Sequence, residues 1–166
     1  HYETGAPAVI SGVMCRCIPS DYGSPAVEDI EAAIRPNIYY NSRSSLITLE
    51  NSHNRHGGTL LDVAYTEQVK ELADQHEIKM HLDGARLWNA HAETGIALEK
   101  YAEPFDTVSV CLSKGLGAPV GSVLAGTWEH VNRGRKFRKM LGGGMRQAGI
   151  IAAGGLHAVK HHIKHL

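Results

Sequence analysis

The sequence has no excess of charge of either sign and no long apolar run. Lysine plus arginine and aspartate plus glutamate both number 17, so the formal net charge of the 166-residue chain is zero. A general nucleic-acid binder carries a basic excess, and a membrane-spanning helix needs about 18 consecutive apolar residues. We therefore expect neither a nucleic-acid partner nor a membrane span. With 43% hydrophobic residues, the chain can bury the core of one domain.

Cysteine is scarce as well. Cys15, Cys17 and Cys111 make an odd number without the spacing of a disulfide framework, which favours reduced thiols and a cytoplasmic protein. The single residue between Cys15 and Cys17 is too short a gap for the usual zinc motifs. In the histidine-rich tail, His161 and His165 are four residues apart, but no acidic ligand or base accompanies them. We expect no metal site in either segment.

Short apolar runs alternate with helical patterns, and no internal repeat interrupts them. The runs predict strands over residues 45–50, 78–83, 106–112 and 122–126. Apolar spacing predicts helices over residues 24–34 and 66–77 and a last helix after Gly144. We also expect a helix over residues 86–94 that stops at Gly95, and a basic helix over residues 128–140. This alternation predicts an α/β fold, in which helices flank a mostly parallel sheet. Such sheets bind ligands at the carboxyl ends of their strands.

The helical patterns also predict how three helices pack. Ser24 is expected to cap the first of them. The residues predicted to face the core are Val27, Ile30 and Ile34 in the first helix, Val69, Leu72, Ala73 and His76 in the second, and Leu156, Val159, Ile163 and Leu166 in the last.

Lys114 stands where a predicted strand meets a glycine-rich loop, and Asp83 ends another predicted strand 31 residues earlier. A lysine and an aspartate at the ends of neighbouring strands suit pyridoxal 5'-phosphate. The lysine forms a Schiff base with the aldehyde, and the aspartate keeps the pyridine nitrogen protonated. Apolar residues on both sides of Lys114 predict an amine that is partly removed from water.

Other polar residues follow predicted strands or precede predicted helices, and each has a structural alternative. Asp83 also suits the N-cap of the next helix. Arg86 either clamps a substrate carboxylate or forms a surface ion pair with Asp83. His53 is a candidate catalytic base or a structural histidine. Arg146 follows three glycines at a helix start, which is either an anion site or a flexible turn.

Five segments resemble those of the low-specificity L-threonine aldolases, in the β-eliminating lyase/threonine aldolase family of fold-type I pyridoxal phosphate enzymes. The resemblance runs along the whole chain, and its last two segments are long and specific. The segments are residues 2–5 (YETG), 49–54 (LENSHN), 81–87 (HLDGARL), 110–121 (VCLSKGLGAPVG) and 138–147 (RKMLGGGMRQ).

The resemblance implies a role for each candidate residue. Lys114 matches the Schiff-base lysine, and Asp83 matches the partner of the pyridine nitrogen. Arg86 matches an arginine that contacts the cofactor or the substrate carboxylate, and Arg146 matches an arginine near the cofactor phosphate. The implied reaction is a lyase step of threonine catabolism, in which L-threonine or L-allo-threonine gives glycine and acetaldehyde. His53 remains a candidate for the base that removes the β-hydroxyl proton.

The resemblance also implies that residues 1–166 are the central part of the cofactor-binding large domain. An N-terminal segment and a C-terminal small domain of the family lie outside them, and the full-length form is expected to be a homodimer or homotetramer. The chain alone is then expected to be a weak or inactive catalyst. Two alternatives remain open at this point, a truncated fragment without activity and a related pyridoxal phosphate-dependent β-eliminating lyase.

Overall fold

A four-stranded sheet forms the centre of the computed structural model, which describes residues 3–166. Tyr2, in the first of the five segments, lies outside the described residues. The strands are β1 (Leu46–Glu50), β2 (Lys79–Gly84), β3 (Thr107–Cys111) and β4 (Ser122–Gly126), in the spatial order β1-β2-β3-β4. The first three strands are parallel, and β4 runs antiparallel to β3. This confirms the predicted α/β fold with a mostly parallel sheet.

The helices connect and flank these strands. Within residues 3–166 they are α1 (Ala6–Ser11), α2 (Val27–Ala33), α3 (Val63–Gln75), α4 (Leu87–Thr94), α5 (Leu98–Ala102), α6 (Trp128–Met140) and α7 (Gly149–His161), with 3₁₀ turns at Glu3–Gly5 and Ile163–His165. Helix α3 begins earlier than predicted because Asp62 caps it, its Oδ1 accepting the Ala64 N–H at 3.0 Å. The predicted cap of α2 is wrong, since Ala26 and not Ser24 occupies the N-cap.

One face of the sheet carries the main core. Side chains alternate between the two faces of a strand, and β2 buries Met80 and Leu82, which are 0% and 1% exposed. Helix α3 covers this face over β1 and β2 with the predicted Val69, Leu72 and Ala73. Helices α4 and α5 cover it over β2 and β3, where Leu87, Ala90, Tyr101 and Val108 pack around Leu82.

Two predicted helix faces differ from those observed. His76 is exposed, because α3 ends at Gln75 and His76 is its C-cap. In α7 the buried residues are Gly155 and Ala158, whereas Leu156 is 55% exposed. Small residues are needed there because α7 lies close to the loop after β3. A Cβ added at Gly155 would lie 3.0 Å from Leu112 Cδ1.

The opposite face of the three parallel strands is mainly polar and only partly covered. Apart from Leu46, it carries Thr48, Glu50, Lys79, His81, Asp83, Thr107, Ser109 and Cys111. We call this set the polar face. The accessible surface of the chain is 11300 Å², against about 8000 Å² for a compact protein of this mass. Within residues 3–166, no helix has both the length and the apolar character to cross a membrane.

The amino ends of β2 and β3 are tied together by Asp106. Its Oδ2 accepts the Met80 N–H at 2.9 Å, its Oδ1 accepts from Lys79 Nζ at 2.8 Å, and its own N–H donates to the Met80 carbonyl at 3.0 Å. Burial alone would raise the pKa of Asp106, but the bonds from Lys79 and Met80 outweigh burial and lower this pKa below its ordinary value of 3.8. Asp106 therefore holds the register of the two strands.

We expect Asp106→Ala to lower the free energy of unfolding by about 1–3 kcal/mol at neutral pH, because the Met80 N–H loses its acceptor. A carboxyl group with a lowered pKa stabilises the fold above its unfolded pKa and stops doing so as the pH falls through its folded pKa. The loss should thus shrink below about pH 4. Urea unfolding against pH measures it, with Asp74→Ala on α3 as the exposed control. Equal losses for both variants would contradict this role.

Candidate active site

The carboxyl ends of the parallel strands bring the candidate residues to one edge of the sheet. Glu50 and Asp83 are cross-strand partners at the ends of β1 and β2, and Asp83 faces Ser109 of β3. The backbone pairing continues past β1, where the Asn51 N–H donates to the Asp83 carbonyl at 3.0 Å. A surface groove of about 550 Å³ lies between α2 and α3 and is lined by none of these residues. The candidate site is thus an open sheet edge.

Asp83 shapes the turn that leaves β2. Its Oδ1 accepts the Ala85 N–H at 3.0 Å, and within residues 3–166 its Oδ2 has no hydrogen-bond partner. The alternative that Asp83 caps the next helix is wrong, because α4 begins at Leu87 and Arg86 is its N-cap. The alternative of an ion pair with Arg86 is also wrong for the described residues. One carboxylate oxygen therefore stays available at the polar face.

Lys114 extends from the loop that follows β3, and its side chain is exposed. The prediction that apolar neighbours shield its amine is wrong for the described chain. Leu116 is fully buried and Ala118 is 6% exposed, but both pack into a cluster with Trp88 and Ala158 rather than around the amine. These residues anchor the loop instead, and they leave the lysine free to reach over the edge.

A second contact holds the same loop against α4. Trp88 Nε1 donates to the Cys111 carbonyl at 2.9 Å, at the end of β3. Gly115 lies against the end of the Asn89 side chain on the same helix. The indole bond and this close approach hold the start of the loop beside α4.

His53 lies in the loop after β1 and is held on several sides. Its backbone pairs with Thr59, its ring lies 4.7 Å from that of His56, and its Nε2 is 3.7 Å from Glu50 Oε2. Glu50 Oε1 accepts the Asn54 N–H at 3.0 Å and so closes the loop. His53 Nδ1 is buried without a hydrogen-bond partner in the described chain, which leaves Nε2 as the nitrogen that can exchange a proton.

The two arginines differ in their relation to this edge. Arg86 is half-buried directly after the Asp83 turn, beside the other candidates. Arg146 is exposed on the loop between α6 and α7, and within residues 3–166 it forms no hydrogen bond or ion pair with a residue of the edge. Asp83, Arg86, His53 and Lys114 thus stand at or just after the carboxyl ends of β1, β2 and β3, whereas Arg146 stands on the loop between α6 and α7.

Two further residues of the polar face were not singled out from the sequence. His81 lies two residues before Asp83 on the same face, and its Nδ1 is 2.8 Å from Thr107 Oγ1. Burial would raise the pKa of the Cys111 thiol, but hydrogen bonds from Ser113 and the charge of Lys114 outweigh it and lower this pKa. The period-2 alternation of a strand could have identified His81, since it places His81 and Asp83 on one face.

The family model described as beta-eliminating lyase matches residues 1–166. The chain belongs to the beta-eliminating lyase family. Curated relatives include low-specificity L-threonine aldolase 1 of Arabidopsis thaliana, which is 44% identical over 99% of this chain and 47% of its own length. The low specificity L-threonine aldolase of Escherichia coli K12 is 36% identical over 99% of this chain and 49% of its own length.

Solved structures share the fold of this beta-eliminating lyase family member. A Listeria monocytogenes protein superposes with a TM-score of 0.83 at 23% identity, over 98% of this chain and 44% of its own. The threonine aldolase of Leishmania major superposes with a TM-score of 0.78 at 22% identity, over 98% of this chain and 47% of its own. The chain spans about half the length of the curated relatives it matches.

We expect Gly23→Ala to displace His53. Gly23 has a φ of +83°, and a Cβ there would lie 2.4 Å from His53 Cδ2. Overpacking of this kind costs about 1–3 kcal/mol, in addition to the strain of a left-handed alanine. Gly57→Ala is the matched control, because Gly57 has a φ of +74° and nothing within 4 Å of the added Cβ.

Urea unfolding measures the difference between the two variants, and the His53 ring resonances report its displacement. Equal stability losses with unchanged His53 resonances would show that Gly23 does not support the ring.

Proposed function

We propose that the chain forms the cofactor-binding core of a pyridoxal 5'-phosphate-dependent aldehyde-lyase, which cleaves L-threonine or L-allo-threonine to glycine and acetaldehyde. The observation that supports it most is the placement of Lys114 and Asp83 at the ends of neighbouring parallel strands. Membership of the beta-eliminating lyase family and the named aldolase relatives support the same reaction.

The groups at the edge fit the cofactor by their chemistry. Lys114 offers an exposed primary amine, and Asp83 Oδ2 offers an unpaired carboxylate oxygen to a protonated ring nitrogen. The polar face between them is only partly covered, so a flat ring has room against it. When bound, pyridoxal phosphate supplies an aldehyde to the amine and an aromatic ring that takes up electrons from a breaking carbon–carbon bond.

Each neighbouring residue then has one task. The half-buried Arg86 is unpaired within residues 3–166, and its planar guanidinium suits bidentate binding of an amino-acid carboxylate. His53 takes the β-hydroxyl proton at Nε2, which lies 3.7 Å from Glu50 Oε2. Arg146 remains a proposed phosphate contact, supported by its position in the GGGMR segment rather than by a contact to the edge.

We propose further that the full-length protein is a cytoplasmic homodimer or homotetramer. Exposed free thiols at Cys15 and Cys17 support a reducing compartment. Large apolar side chains exposed along α6 support assembly. Trp128, Phe137 and Met140 are 73%, 52% and 77% exposed.

We expect pyridoxal phosphate to label Lys114 in preference to the other lysines. Incubation with the cofactor, reduction with borohydride and peptide mass spectrometry locate the labelled lysine. In the full-length protein, Lys114→Ala should remove both this label and acetaldehyde formation from L-allo-threonine, measured with a coupled reductase. Lys70→Ala on α3 is the control, because Lys70 lies on the helix that covers the other face and pairs with Asp74. Undiminished labelling or turnover in Lys114→Ala would rule out the assignment.

We expect Asp83→Asn to retain cofactor but to slow acetaldehyde formation by about a hundredfold, the size of a lost charge-stabilising contact. The amide oxygen of Asn can still accept the Ala85 N–H, so the turn after β2 should persist. Rates at saturating cofactor measure the effect, and an unchanged melting temperature serves as the control for folding. A rate close to that of the unaltered protein would show that Asp83 only forms the turn after β2 and does not contribute its charge.

A further inference from the structure

His81 and Asp83 form a pair within the polar face. They are two residues apart on β2, and side chains at that spacing lie roughly 7 Å apart on the same face of a strand. The register places Thr107 beside His81 and Ser109 beside Asp83. His81 is half-buried, and the 2.8 Å contact between its Nδ1 and Thr107 Oγ1 restrains the ring. Asp83 has one carboxylate oxygen free of hydrogen bonds within residues 3–166.

We infer that His81 is a positioning residue for Asp83, restrained by Thr107 and coupled by charge to the Asp83 carboxylate. A neutral ring leaves the full negative charge of Asp83 available at the sheet edge. A protonated ring compensates that charge and weakens the hold of Asp83 on any cation bound there. This inference rests on the proposed function only in naming that cation, the protonated nitrogen of the cofactor ring.

The surroundings of His81 favour the neutral ring near neutral pH. Burial is the largest influence and lowers the pKa of His81, while the charge of Asp83 and a hydrogen bond with the Thr107 backbone raise it and only partly offset burial. The coupling between protonation of His81 and binding of a cation at Asp83 acts equally in both directions. If Asp83 favours protonated His81, then a cation that binds Asp83 must disfavour it.

Other charged groups near this pair are engaged elsewhere. On β2, Lys79 is bound to Asp106 at 2.8 Å. On β1, Glu50 faces His53 and the Asn54 N–H. At the end of β3, Cys111 contacts Ser113, and Lys114 extends from the loop beyond it. Asp83 is the charged residue that acts on the pKa of His81, so it is the residue to change.

The test is a titration of the histidine rings by NMR in the 166-residue chain without cofactor. His81→Gln identifies the His81 resonance by its absence. Asp83→Asn should increase the acid dissociation constant of His81 about two- to tenfold, as Coulomb's law gives for charges roughly 7 Å apart in a partly solvated site. Asp74→Asn is the matched control, and the ring of His130 on α6 is the internal control. Asp74→Asn should leave the His81 titration unchanged, and Asp83→Asn should leave the His130 titration unchanged.

Thr107→Val keeps the shape of the threonine side chain and removes the hydroxyl that lies 2.8 Å from His81 Nδ1, so it should release the ring and shift the His81 resonances. If Asp83→Asn does not fold, added salt replaces it in the unaltered chain, because screening should move the His81 titration in the same direction. An unchanged His81 titration in Asp83→Asn, or on salt addition when that variant is unfolded, overturns the inference. Because no cofactor is present, failure of the proposed function would appear in the Lys114 labelling and not here.

Discussion

The burial of alternate side chains on β2 is the constraint on which the rest of the chain depends. Met80 and Leu82 are almost fully buried between β1 and β3, so the intervening His81 and Asp83 must point to the opposite face. A slip of one residue would exchange the two sets and bury a carboxylate among apolar helices. The bonds of Asp106 to Met80 prevent such a slip at the other end of the strand. The same packing that forms the core therefore places the Asp83 side chain on the polar face.

Each parallel strand ends in a segment that is anchored by a different device. Glu50 closes the loop after β1 through the Asn54 N–H. Asp83 closes its own turn through the Ala85 N–H. The loop after β3 is anchored by the buried Leu116 and by the bond from Trp88 to the Cys111 carbonyl. These anchors use backbone groups and apolar side chains, so the Lys114 amine and one oxygen of Asp83 remain free for a ligand. A rigid frame with unpaired reactive groups is what a binding site requires.

The open polar face limits what the described residues can do by themselves. Lys114 is exposed, and Asp83 is only half-buried. Charged groups attract a ligand less strongly in water than in an enclosed site. The edge can therefore position reactive groups, whereas the described residues do not exclude water from it. Since the chain spans about half the length of its curated relatives, the chemistry of the whole protein remains a proposal built on this edge.

The sequence by itself determined the elements and the positions of the candidate residues along them. Apolar runs predicted all four strands to within a residue or so, and the helix over residues 128–140 was predicted with the observed bounds although none of its residues is buried. Which residues pack together, which stay exposed and which pair across strands depended on the tertiary structure. Helix α7 packs through Gly155 and Ala158, because the loop after β3 lies too close to Gly155 for a large side chain. Leu156 therefore does not face this contact. Lys114 is exposed because its apolar neighbours turn into a core of their own. The partnership of His81 with Thr107 joins residues 26 positions apart, and only the pairing of two strands brings them together.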